Sequence, residues 1–173
     1  MTDEVKVRIA TPDDLHQVME LAMMANEEIG IAPANAEKLL HDVWPALHLQ
    51  NGIVGVIGKP GGRLEGGTML TVQPLWYMDE PMIEERVVFV RPEYRQSKGG
   101  RGRKLCEFAR NVSDKLHMPL VIGIATKIDL EPKMRMYERI FGQKAGAYFV
   151  YGLEYRSEAA RAHTQRVMPV AAE

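Results

Sequence analysis

The stretch from Val90 to Leu105 holds the residues of this chain best suited to chemistry: Gly99, Gly100 and Gly102 stand among Lys98, Arg101, Arg103 and Lys104. Before it lies the continuous apolar run Val87-Val88-Phe89-Val90. After it, Leu105, Phe108, Ala109, Val112 and Leu116 recur at helical spacing. The cations therefore gather where a helix begins, and there the free N–H groups already present about half a positive charge that disfavours them. The pattern makes sense if an anion completes the site. Glycines let the backbone come close, N–H groups donate to oxygens and the side chains neutralise charge, so the expected chemistry is the binding of a phosphorylated ligand. A lone Gly-x-Gly would read as a solvated turn; strand, glycine turn, cations and helix together favour the anion.

The spacing excludes two familiar phosphate binders. No Gly-x-x-x-x-Gly-Lys-Ser/Thr occurs, and Gly100-x-Gly102 is followed by Leu105 where a dinucleotide fingerprint needs its third glycine. A nucleic-acid surface stays open, because Arg86, Arg91, Arg95, Lys98, Arg101, Arg103 and Lys104 lie in a short span, but only Phe89 and Tyr94 offer stacking faces among them.

The remaining composition narrows the field. The 22 basic and 23 acidic residues nearly cancel over 173 residues, so any attraction for an anion must be local. The single Cys106 precludes an internal disulfide and a multi-thiolate zinc site, and with no histidine near it in sequence it reads as a structural thiol. His41 and His48 are seven apart without a third ligand, so no metal site is expected. Met1-Thr2-Asp3-Glu4 opens without a basic or apolar leader, and no run nears the ~18 apolar residues of a membrane span. A soluble, cytoplasmic protein follows, with no membrane partner.

The elements that must position the loop can be read from periodicity. Val5, Val7 and Ile9 alternate with Lys6 and Arg8 as in a half-buried strand. Thr11 is the N-cap of a first helix carrying Leu15, Val18, Met19 and Ala22 in one stripe. A second helix starts near Asn35, with Pro45 expected to bend or interrupt it. Ile53 to Ile57 and Thr68 to Val72 are predicted as an antiparallel hairpin. Val87 to Val90 and Leu120 to Ala125 are predicted as central strands covered on both faces, linked by the helix at Leu105 in a right-handed parallel crossover. A last helix over Asp129 to Phe141 stops at Gly142, and a last strand runs from Ala147 to Leu153. The predicted class is α/β, a mixed and mostly antiparallel sheet with a central parallel β-α-β crossover and helices on both faces. One domain covers residues 1–155, followed by a helix or tail over 156–173.

Val90-Arg91-Pro92-Glu93-Tyr94-Arg95 followed by Ser97-x-x-Gly100-x-Gly102 resembles the strand-to-helix loop of the GNAT superfamily of acetyltransferases. Met136-Tyr137-Glu138-Arg139-Ile140-Phe141-Gly142 is similar to that family's Leu-Tyr-Glu-Lys-x-Gly-Phe segment, and the element order agrees from Val5 to Leu153. Two departures stand out. The loop is about two residues longer than the common form, and Ser97 occupies the usual Arg or Gln position, with Gln96 as its substitute through the longer loop.

The resemblance implies acetyl-CoA as cosubstrate, its pantetheine arm along the backbone near Val90 and its pyrophosphate on the loop of Ser97, Lys98, Gly99, Gly100, Arg101, Gly102 and Arg103. It implies transfer to a primary amine by direct attack. An amine with a lysine-like pKa near ~10.4 arrives protonated and needs a route for its proton. Counting back from Val90 by the family's spacing puts Glu84 at the base position and Glu85, on the opposite face, second. A solvated glutamate pair with water as the carrier is the plainer alternative. Tyr137 corresponds to the tyrosine that donates to the CoA sulfur, or else packs a helix on the sheet. Trp44, Trp76 and Tyr77 are candidates for the acceptor entrance. Lys127 is a candidate phosphate contact where members often carry Asn. The acceptor could be a small amine, an antibiotic, a peptide terminus or an aminoacyl-tRNA, the last being the one nucleic-acid partner expected. The alternative is a non-catalytic acyl-CoA-binding module, and a homodimer stays open.

Overall fold

The computed structural model describes residues 5–147, except Gln96, Ser97 and Lys127, together with Phe149. The chain divides into two units, Met1–Gln143 and Lys144–Glu173. The described residues of the second belong to no helix or strand; the rest of the strand predicted over 147–153, the boundary at 155 and the tail over 156–173 lie outside the described residues. All that follows concerns the first unit.

Among the described residues five strands, β1 (Val7–Ile9), β2 (Gly52–Ile57), β3 (Gly66–Pro74), β4 (Pro81–Val90) and β5 (Leu120–Val121), hydrogen-bond in that order. The first three pairings are antiparallel and β4–β5 is parallel. The helices are α1 (Leu15–Ile29), α2 (Ala36–Leu47), the one-turn α3 (Pro92–Arg95), α4 (Arg101–Leu116) and α5 (Leu130–Phe141). This is the mixed, mostly antiparallel sheet with a parallel β4–α4–β5 crossover expected from periodicity.

Alternation along the strands sorts the core into two layers. Val54 and Val56 of β2, Met69 of β3 and Phe89 of β4 bury against Val18, Leu21 and Ala25 of α1 and Val43 of α2. On the other side Leu105 of α4 packs with Ile57 and Val90, and Ala109 with Leu70 and Ile83. Gly55 lets α4 approach the sheet, since a Cβ there would stand 2.6 Å from the Phe108 ring.

The entry to α1 is fixed by charge as well as by its cap. The Thr11 N–H donates to Asp14 at 2.9 Å, and the Arg8 guanidinium gives that buried carboxylate two further bonds of 2.8 Å. α1 stops at Gly30, whose φ of 63° suits glycine and whose N–H returns to the Asn26 carbonyl. In α2 the Asn35 side chain accepts the Lys38 N–H, and the helix runs through Pro45 to Leu47 instead of breaking there. Pro45 falls near its end, and the Pro45 carbonyl still receives N–H bonds from His48 and Gln50.

Two features differ from the periodicity. Across β3, Met69 pairs with Val87 and Leu70 with Glu85, leaving Arg86 as an extra, bulged residue in β4. The run predicted as a strand over Leu120 to Ala125 is strand only at Leu120 and Val121, paired with Ile83 and Glu84. It then leaves β4, the Gly123 N–H donating to the Glu85 side chain at 3.3 Å. Its apolar residues therefore border an opening in the sheet, and Ile124 and Ala125 line a cleft.

Candidate active site

Because β5 pairs only as far as Glu84, the outer edge of β4 from Glu85 to Val90 has no strand beside it among the described residues. The Val90 carbonyl faces that edge, where it accepts Arg95 Nε at 2.8 Å. Antiparallel strands direct the N–H and C=O of alternate residues to the same side. The polar backbone groups of Val88, like those of Val90, therefore face outward. Here a cleft of about 360 Å³ opens between β4, the start of α4 and α5.

One end of the cleft is the glycine turn. Gly99 and Gly100 have φ of 120° and 58°, and a Cβ on Gly99 would stand 2.7 Å from Val5 Cγ2, so both conformation and space favour glycine. Gly100 caps α4, and the first N–H groups of the helix have no carbonyl one turn earlier to receive them. Gly102, Arg103 and Arg101 line the cleft with Gly100. Lys98 is exposed, and its carbonyl accepts from Arg101.

The charge at this end is largely compensated within the protein. Arg101 Nε donates to Glu65 at 2.5 Å, and its guanidinium lies 5.1 Å from the Tyr94 ring centre. Arg103 pairs with Glu107 one turn along α4. Arg86 pairs with Glu84, the buried Arg91 with Glu20 and Arg95 with Glu28. Five of the seven cations counted in the sequence thus meet a carboxylate, and the basic span is not an open surface for nucleic acid. What the turn offers an anion is chiefly backbone N–H.

Towards the other end, Glu85 and Tyr137 both line the cleft. Burial, opposed by the Gly123 N–H and reinforced by the charge of Glu84, pushes the Glu85 carboxyl up to about 7. Burial also drives the Tyr137 phenol above its usual range, with the Cys106 thiol beside it. Cys106 is fully buried, and burial, only partly offset by its hydrogen bond with Tyr137, pushes it up to about 12, so it is held as a thiol.

Glu84, placed first by counting back from Val90, does not line the cleft. Its carboxylate takes Gln73 Nε2 at 2.5 Å and Arg86 at 3.3 Å. The bulge at Arg86 is the physical reason. One extra residue inverts the inside-outside parity of β4, so Glu85 shares the face of Val88 and Val90. The structure brings Val90, Gly100, Arg101, Gly102, Arg103 and Tyr137 to one cleft, whereas Lys98, exposed, and Gly99, packed close against Val5, do not line it; Ser97, Gln96 and Lys127 lie outside the described residues. Trp44, Trp76 and Tyr77 line no part of it: Trp44 packs against His48, and Trp76 edge-on against Tyr77.

Sequence reasoning missed Glu28. At the last turn of α1 its carboxylate binds Arg95, receives Thr126 Oγ1 at 3.3 Å and Lys133 Nζ at 3.4 Å, and so joins three segments bordering the cleft. Burial would raise its pKa, but Arg95 and then Lys133 outweigh that and lower it. A signal was available, since an acid at a helix C-terminus opposes the dipole and calls for a cation nearby.

No family profile and no curated protein sequence matches this chain. Solved structures do. The aminoglycoside antibiotic 6'-N-acetyltransferase AAC(6')-Ih from Acinetobacter baumannii is similar at a TM-score of 0.61 and 11% identity, over 86% of this chain and 97% of that one. AAC(6')-Iy, solved with a bisubstrate analogue of CoA and acetylneamine, gives 0.64 and 12% over 87% and 98%. An acetyltransferase from Trypanosoma brucei gives 0.61 and 19% over 86% and 99%.

Proposed function

We propose that this chain, which has the fold of the GNAT acetyltransferases, transfers an acetyl group from acetyl-CoA to a primary amine. The observation that carries the reading is the joining, in one cleft, of a strand edge unpaired among the described residues, a glycine turn at a helix N-terminus, and the pair Glu85 and Tyr137. An amide-bearing arm ending in a pyrophosphate fits such a cleft: the backbone of Val88 and Val90 can pair with amides, and the N–H groups of Gly102 and Arg103 can receive phosphate oxygens. Arg95 must release the Val90 carbonyl for that pairing. The described structural relatives that bind CoA or are named acetyltransferases lend the reading weight.

Acetyl-CoA, when bound, supplies an acetyl group activated as a thioester. Glu85 takes the proton that an ammonium acceptor must lose before it attacks; a carboxyl poised near neutral pH is ionised often enough to do so and basic enough to hold the proton. Tyr137 keeps its proton at working pH and donates a hydrogen bond to the departing sulfur.

The test is thermal denaturation with and without millimolar acetyl-CoA, followed by thiol release over a panel of primary amines. A rise in Tm is expected, since a ligand bound by the folded state alone adds stability, together with thiol release dependent on at least one amine. No shift in Tm overturns the cofactor assignment. A shift without release from any amine reduces the protein to an acyl-CoA-binding module.

A further inference from the structure

On the opposite side of β4 lies a second cavity, of about 210 Å³, between α1, α2 and the sheet. Its walls include Leu21 and Ala22 of α1, Leu39 and Val43 of α2, and Val54 and Met69 of the sheet. It is not isolated. Ala25, Ile29, Arg86, Val87 and Phe89 line both this cavity and the cleft, so the two adjoin along α1 and the bulged part of β4. Val87 and Phe89 turn to this side while Glu85 turns to the other, and Arg86 stands between them at the bulge.

We propose that this cavity receives the apolar body of the acceptor, which makes the substrate a monoamine carrying one ring or a short alkyl chain, its nitrogen directed past the bulge to Glu85. The inference rests on the acetyl-transfer reading and names the acceptor class for it. Size is the first argument: an apolar cavity of about 150 Å³ accommodates benzene, so this one matches a single ring with a short chain. Charge is the second. Among the described residues lining the cavity, Asp42 is the one carboxylate, half exposed on α2 and 3.5 Å from His41. The junction itself carries the Arg86 guanidinium, held by Thr71 Oγ1 at 3.1 Å and by Glu84 at 3.3 Å. A ligand with several ammonium groups needs several carboxylates to replace its water. Here it would meet an apolar wall and an arginine already paired with Glu84.

The experiment uses the full chain with 2-phenylethylamine, hexylamine, spermidine and an aminoglycoside, reading thiol release at saturating acetyl-CoA and binding of 2-phenylethylamine by calorimetry. Two variants fill the cavity from walls that the cleft does not share, Ala22→Phe and Leu39→Trp, and two guard against the misfolding of either one. We expect kcat/KM at least tenfold higher for the two monoamines than for spermidine or the aminoglycoside. Each folded variant should weaken 2-phenylethylamine binding at least tenfold while keeping the acetyl-CoA-induced rise in Tm. Equal or better turnover of the polycations overturns the inference and leaves acetyl transfer standing, as does phenylethylamine binding untouched by both variants. Absence of phenylethylamine binding overturns it equally. Loss of the acetyl-CoA shift in the parent protein would instead overturn the underlying reading.

Discussion

The Gly123 N–H donates to the Glu85 carboxylate at 3.3 Å, just beyond the last point at which β4 and β5 pair. A side chain from one strand thus takes the bond that the other strand's backbone no longer makes. The same contact holds Glu85 in the mouth of the cleft, where burial raises its pKa.

Glu85→Gln should therefore separate two effects. Its folded pKa, about 7, exceeds the ordinary 4.5, so the folded state holds more protons between those values and stability falls as pH rises through that window. Below 4.5 the penalty is absent; above about 7 it is fully present. The Gln variant removes it, and at pH 8 should be more stable than the parent by on the order of 1–3 kcal/mol, read as a higher Tm. It should also lose most of kcat/KM, and the parent's rate should climb through pH 7. A Glu84→Gln variant with the larger loss of rate would return the base to Glu84.

Tyr137→Phe should leave acetyl-CoA affinity within a few-fold and lower kcat by roughly ten- to a thousand-fold, because the hydroxyl acts on charge that develops only as sulfur departs. Some rate survives, since a thiolate leaves tolerably without a proton. Full turnover in thiol-release kinetics would make Tyr137 a packing residue beside Cys106 and Phe141.

Gly100→Val places a β-branched side chain at φ 58°, costing about 1–2 kcal/mol in backbone strain, and crowds the turn that caps α4. Calorimetry on the folded variant should show acetyl-CoA binding weakened tenfold or more. Unchanged affinity would move the pyrophosphate away from this turn.

Asp14→Ala tests the fold alone. It leaves Arg8 without its carboxylate in a half-buried setting and should cost about 2–4 kcal/mol at pH 7. The Arg8 bonds hold the Asp14 pKa below 3.8, so the parent's advantage is present above that value and lost as pH falls through the lowered pKa. Urea melts at pH 7 and pH 3 should show the difference shrink.

The sequence made legible those parts of the site that rest on local backbone chemistry. The turn of Gly99, Gly100 and Gly102 stands at the start of α4, as the misplaced cations and the Leu105 stripe implied, and Tyr137 reaches the same cleft. What it hid depends on pairing between distant segments. The bulge at Arg86 exists only in the register of β3 against β4, and no pattern within β4 marks it, so counting back from Val90 by the family's spacing arrived at Glu84. Leu120 to Ala125 is apolar because it begins as a paired strand at Leu120 and Val121 and ends with Ile124 and Ala125 bordering a cleft, and periodicity cannot distinguish that from a covered strand. Arg91 and Arg95 looked like surface charge because Glu20 and Glu28, which hold them, lie about 70 residues earlier in the chain.

The bond from Arg95 to the Val90 carbonyl bears on how the protein behaves when handled without ligand. An unaccompanied strand edge invites a strand from another molecule, which is how sheets grow into aggregates. Arg95 occupies one rung of that edge and, anchored by Glu28, is costly to displace for a chance encounter. Among the described residues the rungs at Val88 have no such cover. On the proposed function, storage and crystallisation should therefore go better with acetyl-CoA present, the proposed cosubstrate taking the place of a neighbour to β4.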